Sequence, residues 1–185
     1  MEAITGLFAR VLRVPENTVT RSFRISETAF LALDEEAKKR NLSVNTLVNQ
    51  LFLSFANFDR YFQRFGMVKI SKVAYRKTLM AAPDEEIVEL AREVARNSGK
   101  VIILARHGTI SLSGVLDWLK NLADYAYFFE YNEAVTPERK RAITLTHSLG
   151  EKFSIFMEAY AKTLFEEIAM NPKLTLTEDS ITITI

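Results

Sequence analysis

Polar and apolar positions alternate over residues 18–25, Thr-Val-Thr-Arg-Ser-Phe-Arg-Ile. In a strand of that register Thr20, Ser22 and Arg24 face one way, while Phe23 and Ile25 face the other. Ser26 then has the place of an N-cap, opening a helix with Phe30, Leu33 and Ala37 on one face and an end near Asn41. Ser43-Val44-Asn45 opens a second helix, whose apolar stripe is Leu47, Val48, Leu51, Phe52 and Phe55. Phe58, Tyr61 and Phe62 continue that stripe to Gly66, a C-cap. No Gly/Ser/Pro linker follows, so a helical connection to the rest of the chain is expected.

Beyond Gly66 the pattern changes. Met67–Ile70 reads as a short strand or extended link, and residues 71–82 as a helix. Pro83-Asp84-Glu85-Glu86 is a helix start, with proline in the first turn and acids at the positive dipole end. Ile87, Leu90, Ala91, Val94 and Ala95 supply its inner side as far as Ser98-Gly99. Residues 100–106 are open between strand and helix, because a short apolar run does not distinguish them. Residues 113–127 read as a helix. Residues 128–131 and 142–146 read as two strands joined through Thr136-Pro137. Residues 149–169 form a long helix with Phe153, Phe156, Met157, Tyr160, Leu164, Phe165 and Ile168 inward. Residues 173–177 and 180–185 alternate around Glu178-Asp179 as a hairpin. The fold class expected is α+β, ending in a long helix and a β-hairpin. The domains expected are an N-terminal amphipathic segment 1–17, a module 18–66 and a regulatory or assembly domain 67–185.

Three stretches carry a resemblance: Arg21-Ser-Phe-Arg-Ile-Ser26, Ala29-Phe-Leu-Ala-Leu-Asp-Glu-Glu-Ala37 and Leu42-Ser-Val-Asn-Thr-Leu-Val-Asn-Gln-Leu51. Together they resemble the ribbon-helix-helix family of DNA-binding proteins, the Arc and MetJ type. The resemblance implies an intertwined dimer, in which two strands pair as one antiparallel ribbon and enter the major groove of double-stranded DNA. Thr20, Ser22 and Arg24 would meet base edges. The amides of Ser43, Val44 and Asn45, at the start of the second helix, would grip a backbone phosphate. Arg21 falls on the core-facing parity, where it either reaches a phosphate from the ribbon's end or marks a bulge. Physical reasoning agrees on the dimer: a strand this short and a helix pair of about 40 residues rarely sustain a core alone. Residues 67–185 carry no family likeness specific enough to transfer a residue. Their closing helix and hairpin are only faintly similar to small-molecule-sensing domains of the vinyl-reductase type.

Charge adds little. The net charge is +1 over 185 residues. Residues 1–66 hold nine Lys or Arg against seven Asp or Glu, and residues 67–185 hold fifteen against sixteen. DNA affinity would therefore depend on local placement of Arg21, Arg24 and the helix terminus, doubled by the dimer. Cysteine is absent, which removes disulfides, thiolate chemistry and Cys-ligated metals. His107 and His147 lack further ligands at metal-binding spacing, so no metal or cofactor is expected. Glu151, Glu158, Glu166 and Glu167 read as the wet face of a helix rather than as catalytic carboxylates. No nucleophile elbow, phosphate-cradling loop or Walker signature occurs, so no catalytic residues are expected. No stretch is long and apolar enough to span a bilayer, and no signal-peptide pattern follows Met1-Glu2, which makes a cytoplasmic protein the default.

The leading expectation is a dimeric, or higher even-numbered, sequence-specific transcriptional regulator that binds double-stranded DNA and is not an enzyme. The alternatives lie in the C-terminal domain. It is either the holder of a protein partner, as in an antitoxin-like or assembly protein, or a sensor of a small apolar ligand. Thirteen Phe, six Tyr and one Trp motivate the sensor reading, with Trp118, Tyr125 and Phe156 as the candidate pocket.

Overall fold

Serine hydroxyls start four of the described helices. The computed structural model describes residues 18–185, all but the side chains of Phe62 and Gln63. It places α1 at Glu27–Lys39, α2 at Val44–Ser54, α3 at Arg60–Arg64 and α4 at Lys72–Ala81. Next come α5 at Asp84–Val94, α6 at Lys100–His107 and α7 at Leu112–Ala126. The strands β1 (Glu130–Val135) and β2 (Arg141–Thr146) lead into α8 (Glu151–Glu166), and β3 (Lys173–Thr177) and β4 (Ser180–Thr184) close the chain. The Oγ atoms of Ser26, Ser43, Ser71 and Ser111 accept from the amides of Ala29, Thr46, Ala74 and Gly114 at 3.0–3.2 Å. Each satisfies one orphan helix amide, worth about 1 kcal/mol. The amphipathic segment expected at residues 1–17 lies outside the described residues.

The chain divides into two compact units, 1–48 and 49–185, with the division falling inside α2. In the first unit only Ala37 and Leu47 are buried among the described residues. The strand expected at residues 18–25 is not formed: these residues make neither helix nor ladder. A ladder needs a second strand, and the four strands of the sheet all come from residues 130–184.

The second unit is an α+β arrangement. Its sheet has the order β1-β2-β4-β3, antiparallel throughout. Ile143 lies opposite Ile183 and Leu145 opposite Ile181, and all four are fully buried. The alternate positions Thr144 and Thr182 meet on the other face, their hydroxyls 3.1 Å apart. Helix α8 packs against β3 and β4 and also against α4 and α5. Ten of its sixteen residues are buried, which requires cover on more than one side.

Two expectations shift. The first strand lies at 130–135 rather than 128–131, because Tyr127 ends α7 in the left-handed region (φ 57°) and Phe128 and Phe129 are spent on the core. The helix expected to stop at Ser98-Gly99 instead runs on through a π-turn, Ala95–Gly99, directly into α6. This assigns residues 100–106 to helix. A close crossing lies at this turn. A Cβ on Gly99 would stand 2.5 Å from the Tyr160 hydroxyl of α8, so glycine here permits contact between helices rather than ending one. An earlier π-turn, Phe55–Asp59, interrupts the ladder between α2 and α3. Within it the Asn57 carbonyl accepts from Arg106 Nη1, while Arg106 Nη2 donates to Asp117 at 2.7 Å.

Gly99→Ala should therefore destabilise the fold by about 1–3 kcal/mol. The Tyr160 hydroxyl cannot swing away, since it accepts from Trp118 Nε1 at 2.6 Å in a buried stack. In urea unfolding, Gly99→Ala combined with Tyr160→Phe should lose less than the sum of the single losses. Strict additivity would show that the crossing is not the constraint.

Candidate functional site

Two regions hold candidate functional side chains. The first is residues 18–45. Thr20, Arg21, Ser22 and Arg24 are all exposed, and Arg21 Nη1 donates to the Thr20 carbonyl at 2.9 Å. Ser26 closes the segment as the α1 cap. At the start of α2, Ser43 Oγ accepts from the Thr46 amide and lies 2.8 Å from Thr46 Oγ1. The Ser43 hydroxyl is thus occupied as a cap, and any anion held here would meet backbone amides at the positive end of the helix. Exposed large side chains accompany these polar groups: Val19 at 76% and Ile25 at 54%, with Phe23, Phe30 and Leu31 also open to solvent. Val19, Phe23 and Ile25 share one parity of the segment, while Thr20, Ser22 and Arg24 share the other.

The second region is an open cleft of about 690 Å³ in the second unit. It is lined by Ala123, Asp124 and Tyr127 from the end of α7, by Phe129, Glu130 and Tyr131 at β1, by Thr146 of β2 with His147 and Ser148 after it, and by Lys72 of α4. A smaller cleft of about 450 Å³ lies between Ser113, Asp117 and Lys120 of α7 and Tyr131, Glu133 and Arg141 of the sheet.

His147 is buried, and both of its ring nitrogens are engaged. Nδ1 accepts from the Leu149 amide at 3.3 Å, which places the proton on Nε2, 3.0 Å from Ser154 Oγ. Ser154 in turn donates to the Glu178 carbonyl at 3.2 Å. Burial holds the imidazole below its ordinary pKa, with nearby Lys72 adding to the effect and Asp179 opposing it. His147 therefore ties the start of α8 to the terminal hairpin as a neutral ring and has no nitrogen left for a metal or a proton transfer. His107 pairs instead with Asp117, 3.1 Å away. No group of three or more His, Cys, Asp or Glu capable of holding a metal occurs among the described residues.

Trp118, Tyr125 and Phe156 line neither cleft. Trp118 is buried and stacks with Phe58 at 5.9 Å, and Phe156 stacks between Phe153 and Tyr160. Tyr125 is half-buried against Phe58, its hydroxyl accepting from Asn57 Nδ2 at 3.3 Å. Their rings fill the core of the second unit. Burial pushes the Tyr75 phenol up to about 12 and that of Tyr160 higher still, so both stay neutral in this core. The cleft residues gave no sequence signal, because they come from α4, α7, β1, β2 and the turn after it and share no motif.

No protein family, curated protein or solved structure matches this chain. No helix of the described residues is long and apolar enough to cross a membrane.

The depressed pKa of His147 has a sign that can be checked. Below its ordinary value of 6.5 the unfolded ring takes up a proton that the folded ring refuses. Stability should fall as pH drops through 6.5 and level off once the folded ring also protonates. Urea midpoints at a series of pH values should show this slope, and His147→Gln should flatten it. An unchanged slope in that variant would place the titration elsewhere.

Proposed function

We propose that residues 18–58 are half of a ribbon-helix-helix module, completed by a second copy of the chain, and that the pair reads double-stranded DNA as a transcriptional regulator. The observation that carries this reading is the exposure of apolar side chains on one parity of residues 19–25 and on α1, in a unit that buries only Ala37 and Leu47 among its described residues. A surface of this kind is an association surface. Val19, Ile25, Phe30 and Leu31 are 46–76% exposed, so covering them in two copies would gain about 7–14 kcal/mol gross, at about 1.5–3 kcal/mol for each side chain buried completely. That is of the same order as the cost of association, about 4–15 kcal/mol. Pairing of two 18–25 segments leaves Thr20, Ser22 and Arg24 of each on the outer face. Arg24 suits guanine O6 and N7 as a bidentate donor, whereas Thr20 and Ser22 fit several bases. The amides of Ser43, Val44 and Asn45 at the start of α2 suit a phosphate. The module binds and does no covalent chemistry.

The full-length chain should sediment as a dimer, and a site selected from random duplex DNA should bind with an affinity that falls steeply with salt. Arg24→Ala should weaken that complex by at least about 30-fold, one bidentate contact being lost from each copy, while leaving the dimer intact. Ile25→Asp should instead shift the protein toward monomer and abolish binding. Wild-type affinity in Arg24→Ala, or a wild-type protein that stays monomeric at millimolar concentration, would refute the groove assignment.

A further inference from the structure

Helix α4 has two apolar sides and buries one of them. Leu79 is its single buried residue, Tyr75 is half-buried, and the rest of the helix is open to solvent. Val73 and Met80 stand two turns apart on the side away from Tyr75 and Leu79, with Arg76 and Lys77 between them. The link before the helix continues the pattern, Val68 and Ile70 flanking Lys69. Val68, Ile70, Val73 and Met80 are 52–80% exposed. Single exposed apolar residues are ordinary, but four in so short a stretch form a patch.

The charge of this stretch is equally one-sided. Residues 60–83 hold six Lys or Arg and no Asp or Glu, in a chain whose net charge is only +1. Lys69 approaches Asp59 at 3.7 Å, and Asp84, the first acid to follow, is taken by Lys152 at 2.6 Å. Lys72, Arg76 and Lys77 enter no ion pair among the described residues. Lys72 stands in the first turn of α4, where the helix dipole disfavours a cation. Apolar side chains interleaved with uncommitted cations match one kind of surface. A DNA backbone would engage the cations and leave the four apolar side chains in water. A second copy would set cation against cation. An anionic bilayer takes both, because apolar side chains enter the acyl boundary while Arg and Lys heads reach the phosphates along their apolar stems.

We propose that residues 67–82 form a docking surface for an anionic lipid bilayer. Helix α4 lies in the plane of the interface with Val73 and Met80 toward the acyl chains, and Val68 and Ile70 extend the contact. Arg76 and Lys77 hold the lipid phosphates on either side of the apolar ridge. Docking of this kind requires no spanning helix. The surface goes beyond the DNA reading and does not rest on it: its residues all belong to the second unit, and vesicle binding is measured without DNA.

The test sediments the full-length protein with phosphatidylcholine vesicles, either neutral or containing phosphatidylglycerol. The protein should pellet with the anionic vesicles only, and less so as salt is raised, because the attraction of its cations is screened. Val73→Ser combined with Met80→Ser should weaken partitioning at least about tenfold. Arg76→Gln combined with Lys77→Gln should weaken it about 25-fold, near fivefold for each charge. Both pairs replace exposed residues, so both should melt as the wild type does. No pelleting up to about 10 mM lipid, equal pelleting with neutral vesicles, or wild-type partitioning in either pair would overturn the proposal. Wild-type partitioning in the Val73 and Met80 pair, together with loss of non-specific duplex DNA binding in the Arg76 and Lys77 pair, would assign the surface to nucleic acid instead.

Discussion

The second unit depends on the enclosure of one helix. Helix α8 buries ten of its sixteen residues, so its apolar surface extends well beyond a single stripe and must be covered from more than one direction. The sheet covers one side through Ile181 and Ile183, and α5 with the π-turn at Ala95–Gly99 covers another. At that second contact the backbone of Gly99 approaches Tyr160 more closely than any side chain would allow. The remaining features of the unit follow from these contacts. The π-turn keeps α5 and α6 continuous across α8, and Tyr160 is left facing Trp118, where their hydrogen bond ties α8 to α7.

The polar groups of this core are arranged to survive burial. His147 and Ser154 pass hydrogen bonds from the start of α8 to the Glu178 carbonyl, and Thr163 donates to the Ala159 carbonyl within the helix. The Asn57 carbonyl, inside a π-turn, is served by Arg106. Arg106 Nε has no such partner and is the one buried side-chain nitrogen or oxygen left unsatisfied among the described residues. Unpaired buried groups are expensive, so the geometry around each pair is held tightly. The surface of the larger cleft differs, with Lys72 and Glu130 left to solvent.

The first unit poses the opposite problem. Its helices are capped and carry ion pairs one turn apart, Lys38 with Asp34, Lys39 with Glu35 and Arg40 with Glu36. Such exposed pairs contribute only a few tenths of a kcal/mol each. They support helices without supplying a core. A short segment with apolar side chains on one parity and polar ones on the other satisfies both at a boundary between an apolar surface and solvent. The proposed dimer would supply that boundary and place Arg24 on its outer side.

Local chemistry made much of this legible in the sequence. Ser26, Ser43 and Ser71 mark the starts of α1, α2 and α4, Pro83 with three acids marks α5, and Glu178-Asp179 marks the final hairpin, because caps and turns act over three or four residues. The pairing of β2 with β4 was not legible, since it joins residues about 40 apart and no local signal records it. Nor was the helical state of residues 100–107, since a short apolar run fits strand and helix alike. The same limit applies to function. The alternation of residues 18–25 is a property of the chain itself. The confinement of Trp118 and Phe156 to the core, and the gathering of Lys72 and Glu130 into one cleft lining, depend on how distant elements pack. Sequence by itself determined where the elements begin and which faces are apolar, because those effects are short in range. Only the tertiary structure decided which aromatics are enclosed and which charges stay unpaired, because burial and ion pairing depend on neighbours that the chain order does not name.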